Sequence, residues 1–117
     1  NSNYILLHLP EKAKPILLNA LFDVLRDYKV IIATIERYKY FSCKDLIDLK
    51  NQGALFLVEN SSLTKGRGKK LLKKGLVDFI ASYDNFKEKL IKPKYISDEY
   101  FEKLTIGNYQ KIINLDL

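Results

Sequence analysis

Among its 117 residues the chain has one cysteine, one histidine, no methionine and no tryptophan. A lone Cys43 excludes an intramolecular disulfide, a CxxC zinc knuckle and any cysteine-held cluster, a composition that suits a reducing compartment, so a cytoplasmic setting is expected. A lone His8 excludes any chemistry that needs several imidazoles from this chain, and a Ser-His-Asp triad would have to be built on it. No apolar run approaches the ~18 residues of a membrane-crossing helix, so no span is expected. With no methionine at position 1 and an apolar segment beginning almost at once after Asn1, the chain is expected to be trimmed, any signal peptide lying outside it.

Hydrophobic residues make up 47% and charged residues 29%, which supplies one packed core and a soluble surface, and excludes disordered and low-complexity classes. The length fits a single domain over residues 1–117, without repeat or linker. Twenty Lys and Arg against fourteen Asp and Glu give a net charge of +6, which permits an anionic partner without naming one.

Short apolar runs, Ile5 to Leu9, Val30 to Ala33, Leu55 to Val58 and Val77 to Ala81, read as strands covered on both faces. Between the first two, Glu11 to Tyr28 reads as one helix, with Leu17, Leu21, Val24, Leu25 and Tyr28 on its inward face. Ser42 to Gly53 and Lys69 to Lys74 read as two more, stopped by Gly53 and Gly75. Tyr83 to Lys94 reads as a long polar loop. Two terminal helices, Ser97 to Leu104 and Asn108 to Leu115, are expected, capped by Ser97 and Asn108. Strand and helix alternate, so the fold class is α/β: parallel strands with crossover helices. The pattern fits either an open sheet or a section of a barrel.

The densest chemical signal is Ser61-Ser62-Leu63-Thr64-Lys65-Gly66-Arg67-Gly68-Lys69-Lys70. Glycines and hydroxyls precede a helix start rich in cations, a composition suited to an anion such as phosphate. It is not a Walker loop, because Leu63 and Lys70 stand where that pattern needs Gly and Ser or Thr. The alternative is a solvated basic loop. Glu36, Arg37 and the aromatic Tyr38, Tyr40 and Phe41 follow the second strand, where α/β proteins bind ligands. Arg37 could fork a phosphate. Equally, Glu36 could pair with a neighbour while the aromatics close the sheet end. His8 and Cys43 read as packed residues. Tyrosines interleaved with lysines suit single-stranded nucleic acid, yet no RNP, KH or helix-turn-helix pattern accompanies them, so nucleic acid is not expected.

Val30-Ile31-Ile32-Ala33-Thr34-Ile35-Glu36-Arg37-Tyr38, Gly53-Ala54-Leu55-Phe56, Ser62-Leu63, Gly68-Lys69-Lys70 and Gly75 to Ser82 together resemble the later half of the CpsB/CapC group, PHP-domain protein-tyrosine phosphatases. Tyr4 to Pro10 resembles the opening strand of that half, and Asn108 to Ile113 its closing helix. The resemblance implies a partial, half PHP-like distorted βα barrel. It also implies catalytic metals, commonly manganese, and hydrolysis of phosphotyrosine on the bacterial tyrosine kinases of capsule or exopolysaccharide export. Physically, such metals polarise phosphoryl oxygens and supply a hydroxide.

The chain departs from that family at the ligands. Thr34 and Ile35 stand where the family has His-Pro, and Ser82-Tyr83-Asp84-Asn85 where it has Ser-Asp-Ala-His. Thr34, Tyr83 and Asn85 are thus degenerate ligand positions. What remains is Glu36, Arg37, Ser62, Lys65, Arg67 and Lys69, candidates to hold a phosphate rather than cleave it. The expectation is a degenerate or truncated relative, non-catalytic as this chain, with no metal site and no cofactor. Manganese would enter only with a complementing N-terminal half. Alternatives are one part of an active phosphatase and a basic anion- or nucleic-acid-binding module. A half barrel leaves sheet edges open, so pairing with a second copy or a complementing half is also expected.

Overall fold

The computed structural model describes residues 3–82 and 90–114. Four strands, β1 (Tyr4–Leu7), β2 (Lys29–Ile32), β3 (Leu55–Glu59) and β4 (Phe79–Ala81), form one parallel sheet in the order β1-β2-β3-β4. In register, Tyr4 sits opposite Lys29, Ile31 opposite Leu55, and Leu57 opposite Phe79. The α/β class read from the alternating runs is therefore present, with helices α1 (Leu18–Val24), α2 (Cys43–Asn51) and α3 (Gly66–Lys73) as crossovers.

Side-chain alternation along the strands divides the interior in two. Val30, Ile32, Phe56, Val58 and Ile80 point to one face and share a buried cluster with Leu18 of α1, Leu46 and Leu49 of α2, and Leu71 and Leu72 of α3. All three crossover helices thus serve the same side. Ile31, Leu57 and Phe79 point to the other face, where Tyr109 and Ile112 pack on them. Those two belong to α5 (Asn108–Asn114), which is continuous with α4 (Asp98–Glu102) through a π-helical segment, Lys103–Gly107. Tyr100, Phe101 and Leu104 join the first cluster, so this long helix passes beside β4 from one face to the other.

Local chemistry explains the boundaries. Ser42 and Asp45 form a reciprocal capping box at the start of α2, worth about 1 kcal/mol. After α2 and α3, Gly53 and Gly75 take positive φ, and paired backbone bonds back to Lys50 and Leu49, and to Leu72 and Leu71, close both helices. These stops fall where the sequence placed them.

Four expectations need correction. The helix expected over Glu11 to Tyr28 shrinks to α1, because Pro15 lacks an N–H and restricts Lys14, and the Leu17 cap offers no side-chain acceptor. Its buried side turns to Leu18, Leu21, Phe22 and Leu25, leaving Leu17 72% and Val24 76% exposed. Asn108 is not a cap: it lies inside the continuous helix and donates through Nδ2 to the Asp78 carbonyl. His8, just beyond β1, and Cys43, at the start of α2, are exposed rather than packed. Much of the loop expected over Tyr83 to Lys94 falls outside the described residues. Of its remainder, Ile91 is held to Asn60 by two hydrogen bonds of 2.9 Å, and Pro93 is buried.

Candidate functional site

Parallel strands bring all their carboxyl ends to one edge, and the residues just after them meet there. After β2 the chain turns sharply. Thr34 adopts a left-handed backbone, φ 52°, unusual for a β-branched residue. A 3-10 turn, Ile35–Arg37, follows and buries Glu36. After β3 a second 3-10 turn, Asn60–Ser62, leads to α3.

Glu36 is 7% exposed. Its Oε2 accepts the backbone N–H of Glu59 at 3.1 Å, whereas Oε1 is buried without a partner. Burial pushes its carboxyl above the usual range, against a weaker opposite pull from the Glu59 N–H, the Ser62 hydroxyl and Arg37. Arg37 turns outward and pairs with Glu59, and lies 3.8 Å from Glu11. The guanidinium expected to fork a phosphate is therefore already flanked by two carboxylates. Glu59 was not singled out in the sequence, although its position, the first charge after an apolar strand, mirrors that of Glu36.

Thr34 is closed off. Its hydroxyl donates to the Ala33 carbonyl at 2.7 Å and approaches the Tyr38 hydroxyl, which accepts the Leu9 N–H at 3.0 Å. That chain of bonds ties the end of β1 to the end of β2. Tyr38 and Phe41 are buried and pack edge to face, so these aromatics close the sheet end.

The basic loop is split between tasks. Arg67 donates to the carbonyls of Tyr38, at 2.8 Å, and Phe41, pinning the start of α3 to the turn after β2. Lys69 lies over the Tyr95 ring, 5.6 Å from its centre, and Lys73 shares that ring. Lys65 is exposed. Tyr83 and Asn85 lie outside the described residues. Ser62 is thus brought to Glu36, Arg37 and Glu59, while Arg67 and Lys69 are engaged within the fold.

On the outer surface, Lys74 Nζ stands 3.0 Å from Cys43 Sγ. That hydrogen bond, then the Lys74 charge and more distantly Arg67 and Lys70, lowers the thiol below its usual range. A cavity of about 750 Å³ opens beside the turn after β3, between Leu63, Thr64, Ile91, Pro93 and Tyr95.

Fold and strand-end chemistry together define a parallel α/β protein with a buried carboxylate and an ion pair at the carboxyl edge of its sheet. Compared with protein-family models and with curated protein sequences, the chain matches none.

Proposed function

We propose that this chain is a phosphatase-like module of the PHP type, degenerate or truncated at its metal ligands and non-catalytic by itself, related to the control of capsule or exopolysaccharide synthesis. The observation that carries this reading is the meeting of Glu36, Arg37 and Ser62 at one strand edge, three positions that resemble the family, with the Thr34 hydroxyl turned to the Ala33 carbonyl and the Tyr38 hydroxyl beside them. A sheet wound in sequential order with its crossover helices on one side also suits an arc of a βα barrel.

Manganese fits the described side chains poorly. Among the described residues no group of three or more His, Cys, Asp and Glu side chains comes together, and the Glu59 carboxylate is engaged by Arg37. A complementing N-terminal half would have to bring the ligands. Partners in keeping with this reading are such a half, a second copy, or a tyrosine kinase of polysaccharide export.

Metal analysis of the purified chain, joined to hydrolysis of a phosphotyrosine analogue with and without manganese, tests it. The expected result is no bound metal and no turnover. Hydrolysis that disappears with a chelator would replace this reading with that of a working metallophosphatase.

A further inference from the structure

We propose that the opposite, amino-terminal edge of the sheet is a binding site for a small oligophosphate ligand. Tyr4, Lys29, Leu55 and Phe79 are the first residues of the four strands, and all of them line one cavity of about 560 Å³. That volume lies within the range of small-molecule sites. Arg26, Lys29, Lys103 and Lys111 stand around it, contributed by the turn after α1, by β2 and by the long terminal helix. None of these four cations forms an ion pair with a described residue. The carboxylate on the wall, Asp78, is engaged by Lys50 and by the Phe56 N–H at 2.8 Å. Four like charges around one concavity repel each other, and a multiply charged anion relieves that repulsion where a single phosphate relieves little of it.

The terminal helix is shaped to this end. In a plain α-helix, at 3.6 residues per turn, positions 103 and 108 would lie about 140° apart. The π-helical segment Lys103–Gly107 takes an extra residue into its turn, so Lys103, Asn108 and Lys111 border the same cavity. Such segments inside α-helices are frequent at functional positions. Tyr4, whose ring carries the Lys29 ammonium 5.4 Å from its centre, and half-exposed Tyr28 add aromatic surface beside the cations. The strand edge at Glu36 has the reverse character, with Glu11 and Glu59 flanking Arg37. This site stands independently of the phosphatase-like reading.

Calorimetric titration of the full chain with tripolyphosphate, adenosine triphosphate and inorganic phosphate, at about 0.1 M salt, tests the site. Saturable binding of the two triphosphates is expected, with inorganic phosphate much weaker. Lys103→Gln with Lys111→Gln should weaken it roughly tenfold or more, since charge-assisted contacts to phosphate are lost. Lys12→Gln with Lys44→Gln removes the same net charge at exposed positions outside this cavity and should leave affinity unchanged. All four lysines are partly or fully exposed, and melting curves verify that both double variants fold. A nucleotide preference would assign the base to the tyrosines, and equal affinities would assign the whole ligand to the phosphate chain, both in support. No saturation at millimolar ligand, or equal weakening by the two double variants, would overturn the proposal.

Discussion

Glu36 carries the sharpest conflict in the molecule: a carboxyl group buried at the end of β2, with one oxygen bonded to the Glu59 N–H and the other without a partner. Burial raises its pKa, so the folded chain keeps this proton to a higher pH than the unfolded chain does. The contribution to stability is therefore most favourable below the ordinary glutamate titration, near pH 4.3, and declines as pH rises from there through the raised value. Glu36→Gln removes that titration. Melting temperatures taken across the mildly acidic range should fall less with rising pH for Glu36→Gln than for the wild type, with Glu59, Arg37 and Ser62 unchanged around it. Parallel pH profiles would assign the slope to other groups. The place of Glu36 and Arg37 was legible in the sequence, since a charged pair directly after an apolar strand has to fall at its carboxyl end. The partners were not. Arg67 reads as a free cation in a glycine-rich loop, yet it bonds carbonyls 29 and 26 residues away, a pairing that only the turn after β2 creates.

At the scale of elements, punctuation carried more information than periodicity. Gly53 and Gly75 mark helix ends because the closing residue needs positive φ, a requirement local to a few residues. The inward face of α1 is not legible in the sequence, because Leu17, Leu18, Leu21, Phe22, Val24 and Leu25 are apolar on nearly every side and only packing decides which of them is buried. The sequence suggests two terminal helices because Asn108 has a capping side chain, whereas in the fold that side chain serves the Asp78 carbonyl. Gly68 shows what close packing asks of α3: a Cβ there would stand 2.1 Å from the Ser62 carbonyl oxygen, backbone that cannot swing aside. Gly68→Ala should therefore destabilise the chain by about 1–3 kcal/mol, the usual cost of overpacking. Alanine's better helix propensity, about 1 kcal/mol, would offset part of this. Chemical denaturation measures the net. A neutral or stabilising result would mean that the turn Asn60–Ser62 is free to move off the helix.

Over the whole molecule, the parallel order was within reach of the sequence, because alternating strands and helices with short connections leave few topologies. How the ends of the sheet are finished was not. The crossover helices cover one face while α5 reaches the other from the β4 side, and Leu6 on edge strand β1 remains 51% exposed. On α1 and the turn before it, Ile16, Leu17 and Val24 are 98%, 72% and 76% exposed. Burying side chains of this size contributes about 1.5–3 kcal/mol each, enough for a few of them to favour association once the entropy of pairing is offset. Self-association through this apolar side is the expected outcome, and sedimentation velocity over a concentration series reads it directly. The wild type should shift to larger species as concentration rises, and Leu17→Lys with Val24→Lys should hold the chain monomeric while its melting temperature changes little, because both side chains already face water. A wild type that stays monomeric to roughly 100 μM, where a contact of about 5.5 kcal/mol would be half formed, would leave this surface to a partner of another kind.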